Sequence, residues 1–117
     1  MGLWLSQTGD AAEGGAAFVE RGQAILSSGV LDCSAGPGVY LVDTEGAGAT
    51  DDLTQVIGLT VGQEVVLKAY NAAREVIIKA GANMDIQFDF PLTTLKSSMK
   101  LQSKGVEMFE ISRAAVR

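Results

Sequence analysis

Histidine is absent from the 117 residues, and cysteine occurs once, at position 33. The first absence removes imidazole acid–base catalysis, His-activated nucleophiles and every His-containing metal site. The second excludes an internal disulfide and a thiolate zinc site, so Cys33 reads as a small, partly buried residue near the start of a strand. Long apolar runs are also missing. Ala16–Val19, Val39–Val42 and Val76–Ile78 are the longest, far too short for a helix that crosses a bilayer. The opening Met-Gly-Leu-Trp-Leu-Ser-Gln has neither the basic start nor the apolar stretch of a signal peptide, and the expectation is a soluble chain not secreted by the usual route.

What is present is enough for one compact domain. At 47% hydrophobic and 20% charged residues, with a net charge of -5, the chain is too apolar for disorder and long enough to bury a real core. The charge is uneven. From Met1 to Gly58 eight carboxylates face Arg21 alone, a net of -7, whereas Leu59 to Arg117 sum to +2. This balance argues against nucleic acid, which needs a dense basic surface, and against an anionic membrane.

Residues 1–29 read as an N-terminal arm, extended or partly helical, because Gly9, Gly14, Gly15, Gly22 and Gly29 are closely spaced. A short helix over about Ala16 to Leu26 is one option, weakened by Gly22. Leu3, Trp4 and Leu5 form an apolar knot that either folds back on the chain's own core or inserts into a partner. From residue 30 to 117 the pattern is β. Val39–Val42, Leu53–Ile57, Gln63–Ala69, Arg74–Lys79, Leu95–Leu101 and Val106–Ser112 are candidate strands. The clearest alternation places Ile86, Phe88 and Phe90 against Asp85, Gln87 and Asp89, and Pro91 ends it. Some seven strands at roughly ten-residue spacing, with no long helix between them, predict an all-β, antiparallel β-sandwich or barrel-like domain and disfavour parallel crossovers. The two segments Glu64-Val-Val-Leu-Lys-Ala and Glu75-Val-Ile-Ile-Lys-Ala read as a hairpin that repeats one pattern, since two copies are too few for a solenoid.

Few residues carry the signature of a site. Asp51 and Asp52, with Asp43 and Glu45 nearby, lack the spacing of a calcium loop and read as turn caps. Gly36-Pro37-Gly38 and Gly46-Ala47-Gly48 are turns, not phosphate cradles, because no amphipathic helix follows them. The pair Asp85/Asp89 would lie on one strand face about 13 Å apart, beyond the separation of a glycosidase acid pair. With no nucleophile–base pair, metal set or cofactor fingerprint, the expectation is a chain that is not an enzyme and takes no metal or cofactor.

The stretch Leu41-Val-Asp-Thr-Glu-Gly-Ala-Gly-Ala-Thr-Asp-Asp-Leu, followed by Ile57-Gly-Leu-Thr-Val-Gly-Gln-Glu-Val-Val-Leu-Lys-Ala, resembles a small β module of tailed-bacteriophage virion proteins. Arg74 to Lys79, Asn83-Met84 and Met108-Phe-Glu-Ile-Ser-Arg113 continue the likeness, which spans about Tyr40 to Arg113; Phe109 stands where the module has Trp. The resemblance implies a structural or adhesive virion component, commonly a homotrimer, and no catalysis. A short chain with an apolar arm and no heptad seam points, within that class, to a capsid decoration (cement) protein on the major capsid protein shell. On that reading it is made in the host cytoplasm and ends on the virion surface. The alternative is a short head-fibre or tail-fibre/spike protein that binds a host glycan. Leu3, Trp4 and Leu5 are then the partner contact, and Phe88, Phe90, Phe109 and Ile111 are core or trimer-interface residues.

Overall fold

The computed structural model describes residues 19–114, and in that span eleven strands and one short 3-10 turn (Glu45–Ala47) make an all-β protein. In chain order the strands are β1 (Glu20–Ile25), β2 (Val30–Asp32), β3 (Gly38–Asp43), β4 (Thr50–Leu53), β5 (Gln55–Ile57), β6 (Glu64–Ala69), β7 (Glu75–Ile78), β8 (Met84–Asp85), β9 (Phe90–Pro91), β10 (Ser98–Ser103) and β11 (Met108–Ala114). The six-stranded first sheet has the order β1-β3-β6-β10-β11-β8, the second β9-β7-β4 and the third β2-β5.

The first half winds as a short parallel β-solenoid, which corrects the expected antiparallel sandwich or barrel. β1, β3 and β6 stack in parallel on one side, β4 and β7 on the second, β2 and β5 on the third. Parallel neighbours need a long return path, and here the other sides of each turn supply it without any helix. The turns are unequal, which hides the period from the sequence: Val39 lies 19 residues after its neighbour Glu20 and 27 before its neighbour Val66. The first turn is shorter because residues 26–29 make a tight turn, closed by the reciprocal Ser27–Val30 hydrogen bonds, where later turns have a strand.

Three local expectations change with the winding. Glu20–Ile25 is a strand of the first sheet, not part of a helix, so the β body reaches into the segment read as an arm. The two similar segments at Glu64 and Glu75 are not a hairpin; β6 and β7 belong to different sheets and form successive sides of one turn. The alternating stretch 85–90 is not one strand. β8 ends at Asp85 against β11, β9 begins at Phe90 against β7, and residues 86–89 cross between the sheets. Pro91 sits on β9, an edge strand, where a missing N–H is tolerated.

After β7 the chain reverses. β9 runs antiparallel to β7, β10 to β6, and β11 to β10, so the winding is closed at this end. Inward side chains form columns across the sheets. Gly22, Tyr40, Leu67, Met99 and Arg113 are neighbours in register, as are Gly38, Val65, Leu101 and Glu110. Val65, Leu67, Met99 and Leu101 are fully buried in these columns, as is Val42 between Ala24 and Ala69, joined by Leu53, Val76 and Ile78 from the second side and Leu31 from the third. Glycine is required where turns touch. Gly58 has φ +94, and a Cβ there would lie 2.5 Å from the Ser34 backbone nitrogen one turn away. At Gly38 (φ +154) it would lie 2.3 Å from the Val19 carbonyl oxygen.

Candidate functional site

Two polar clusters interrupt the apolar interior. At the corner between the first and second sides, Asp43 ends β3 with only 3% of its surface exposed. Arg74, just before β7, donates from Nε (2.9 Å) and Nη2 (3.0 Å) to its two carboxylate oxygens. Gln23 on β1 donates to Oδ2 at 2.8 Å and the Thr44 backbone N–H to Oδ1 at 2.8 Å. Burial by itself would raise the Asp43 pKa; the bonds from Arg74, Gln23 and Thr44 outweigh it and hold the carboxyl below its ordinary range. One side chain thus ties three successive turns together. The acidic loop beside it caps its own turns as the composition predicts: Asp51 accepts the Glu45 N–H, and the Thr44 hydroxyl donates to the Gly48 carbonyl.

The second cluster closes the C-terminal end of the core. Glu110 and Arg113 are three apart, a spacing that puts side chains on opposite faces of a regular strand. The β10–β11 register shows why they meet: Leu101 faces Glu110 but Lys100 faces Ser112, so Ile111 is the extra residue of a bulge. The parity flips and both side chains point inward beside Leu101 and Met99. Arg113 donates to Glu110 from Nε (2.6 Å) and Nη2 (2.7 Å), and from Nη2 to the Phe88 carbonyl at 3.0 Å. Its guanidinium lies 4.4 Å from the Phe88 ring centroid and 4.8 Å from that of Phe90. Glu110 also accepts the Gln87 N–H; the Arg113 bonds, acting against burial, keep its carboxyl below the usual range. Arg113 Nη1 is buried with no hydrogen-bond partner among the described residues.

Beside this pair runs an open groove of about 350 Å³ lined by Asp85, Ile86, Gln87, Phe109, Glu110 and Ile111. Its wall mixes the apolar Ile86, Phe109 and Ile111 with the polar Asp85, Gln87 and Glu110. Asp85 is bound to Lys104 at 3.6 Å and Asp89 to Lys79 at 2.8 Å, so the two carboxylates serve separate ion pairs. No group of three or more Asp, Glu or Cys side chains that could hold a metal exists among the described residues. Cys33 is completely buried, just after β2, and burial pushes its thiol up to about 12.

The expected contact residues separate. Phe90 is in the core at 4% exposure, Phe109 is half-buried under the Lys104 ammonium, and Phe88 (57%) and Ile111 (42%) are exposed. Leu3, Trp4 and Leu5 lie outside the described residues. The two ion pairs were not singled out by sequence, because Asp43–Arg74 is separated by 31 residues and Glu110–Arg113 depends on a bulge. No protein-family model matches the chain, and no curated protein matches it either.

Proposed function

We propose that this chain is a structural component of a tailed-phage virion, a capsid decoration protein that acts as a homotrimer and bridges subunits of the major capsid protein shell. The observation that supports it most is where the motif residues of the resemblance fall. Asp43, Thr44, Glu45 and Asp51 build the hydrogen-bonded corner. Gly58 makes the close turn-to-turn contact, and Glu110 with Arg113 closes the core. The polar residues of the module are thus engaged in rigidity, as suits a particle component that works by shape and contact. Leu3, Trp4 and Leu5 are the shell contact on this reading.

The test is to add the purified chain to undecorated heads and heat them. Co-sedimentation with a raised rupture temperature is expected, and Trp4→Ala should weaken attachment without lowering the melting temperature of the free protein. Heads that rupture unchanged and do not retain the protein would overturn the proposal. The groove beside Ile111 favours a second reading, a short head fibre or tail fibre that holds a host sugar. Copy number per virion separates the two, being high for decoration and low for fibres.

A further inference from the structure

The two ends of the winding differ. The C-terminal end is covered by the reversing strands β9, β10 and β11, whereas β1, β2 and β4 each end their sheet. Among the described residues nothing pairs with the outer edge of β1; on β2 the outward N–H and C=O of Val30 are taken by Ser27, which leaves Asp32 alone, and the outer edge of β4 faces the tight turn at 26–29. An edge of this kind presents unpaired N–H and C=O groups, a template for another strand.

The same strands carry the charge. Glu20 is on β1, Asp32 on β2, and Asp51 and Asp52 on β4, with Glu45 beside them. None of the five is in an ion pair among the described residues. Arg21, the cation on β1, is turned back to donate to the Pro37 carbonyl at 3.1 and 3.0 Å, and Lys79, paired with Asp89, is the cation whose charge reaches Asp52. Ile25, at the end of β1, is 57% exposed.

We propose that this open end, where the unpaired edge of β1 adjoins the carboxylates of β1, β2 and β4, docks an extended, lysine- or arginine-bearing segment of a partner protein by strand addition on β1. Charge selects this occupant over the others. A second copy meeting the end with its own open end would oppose the same carboxylates, a repulsive pairing. Its other end offers no excess of positive charge, since residues 81–114 balance four carboxylates with four cations. Residues 1–18 of the chain itself contain Asp10 and Glu13 and no lysine or arginine. A basic strand gains both the backbone ladder and the charge contacts, and the acidic edge keeps the free molecules apart. The inference does not depend on the partner being a capsid protein.

The experiment uses the full chain and a labelled peptide of about ten residues alternating lysine and valine, long enough to span β1. Saturable binding is expected, with affinity falling as salt is raised from about 0.05 to 0.5 M, and with slowed exchange of the β1 amides that point away from β3. Glu20→Gln with Asp52→Asn should keep the melting temperature and weaken binding by about two- to fivefold per carboxylate. A peptide alternating glutamate and valine should not bind. Three results would overturn the proposal. The first is equal binding by a backbone N-methylated peptide, which would mean surface attraction without strand addition. The second is protection, already in the free monomer, of the β1 amides that point away from β3. The third is β1 protection that rises with protein concentration and no peptide, which would make a second copy the occupant.

Discussion

Replacing Gly58 by alanine tests the winding directly, with Gly62→Ala as its control. Both glycines have nearly the same positive φ, +94 and +91, so the intrinsic strain of placing a Cβ there is common to both. That strain is about 1–2 kcal/mol. They differ in surroundings. A Cβ at Gly62 meets nothing within 4 Å, whereas one at Gly58 would sit 2.5 Å from the Ser34 nitrogen and 2.9 Å from the Cys33 carbonyl carbon. These are backbone atoms of the preceding turn, and the Cys33 N–H donates to the Ile57 carbonyl at 2.7 Å, so that turn cannot slide away without breaking the ladder. Overpacking against fixed neighbours typically adds about 1–3 kcal/mol. Gly58→Ala should therefore lose about 2 kcal/mol more than Gly62→Ala, a difference of about 10 °C in melting temperature for a domain of this size. Urea unfolding followed by far-UV circular dichroism measures both. Equal losses at the two positions would refute the close stacking of Gly58 on Cys33 and Ser34, and with it the parallel turn-on-turn arrangement.

Arg113→Met should destabilise the protein by about 1–3 kcal/mol, because Glu110 is left buried without its cation. Adding Glu110→Gln should recover part of the loss, and a double variant no more stable than the single one in urea would refute the pairing. Stability should fall in acid. The folded pKa values of Asp43, Asp89 and Glu110 are held below their ordinary ones, so their contribution is complete above about pH 5 and is lost as the pH falls through the ordinary and then the depressed values. Asp43→Asn should flatten that decline, and an unchanged slope of stability against pH would count against the corner. Cys33 should resist a thiol reagent at pH 8 in the native protein and react fully in urea; rapid native labelling would contradict its burial and its raised pKa of about 12.

Composition and local pattern were sufficient for the all-β character and for most strand positions. β-branched runs and glycine-marked turns are local properties, and Val39–Val42, Gln63–Ala69 and Arg74–Lys79 fall close to β3, β6 and β7. The turn-capping role of the acidic loop was equally legible, since an Asp side chain reaches only nearby backbone donors. Strand direction was not. Alternation with period two is the same for parallel and antiparallel neighbours, and the partner of β3 in either direction lies far along the chain. Only the folded chain decided that Glu64–Ala69 and Glu75–Ile78 line different sides, and that the regular alternation at 85–90 is a crossing between sheets. The candidate site rests on the same kind of information. Asp43 meets Arg74 because two turns bring distant residues into one corner, and Glu110 meets Arg113 because a single bulged residue reverses the parity of a strand, a shift that no side-chain pattern announces.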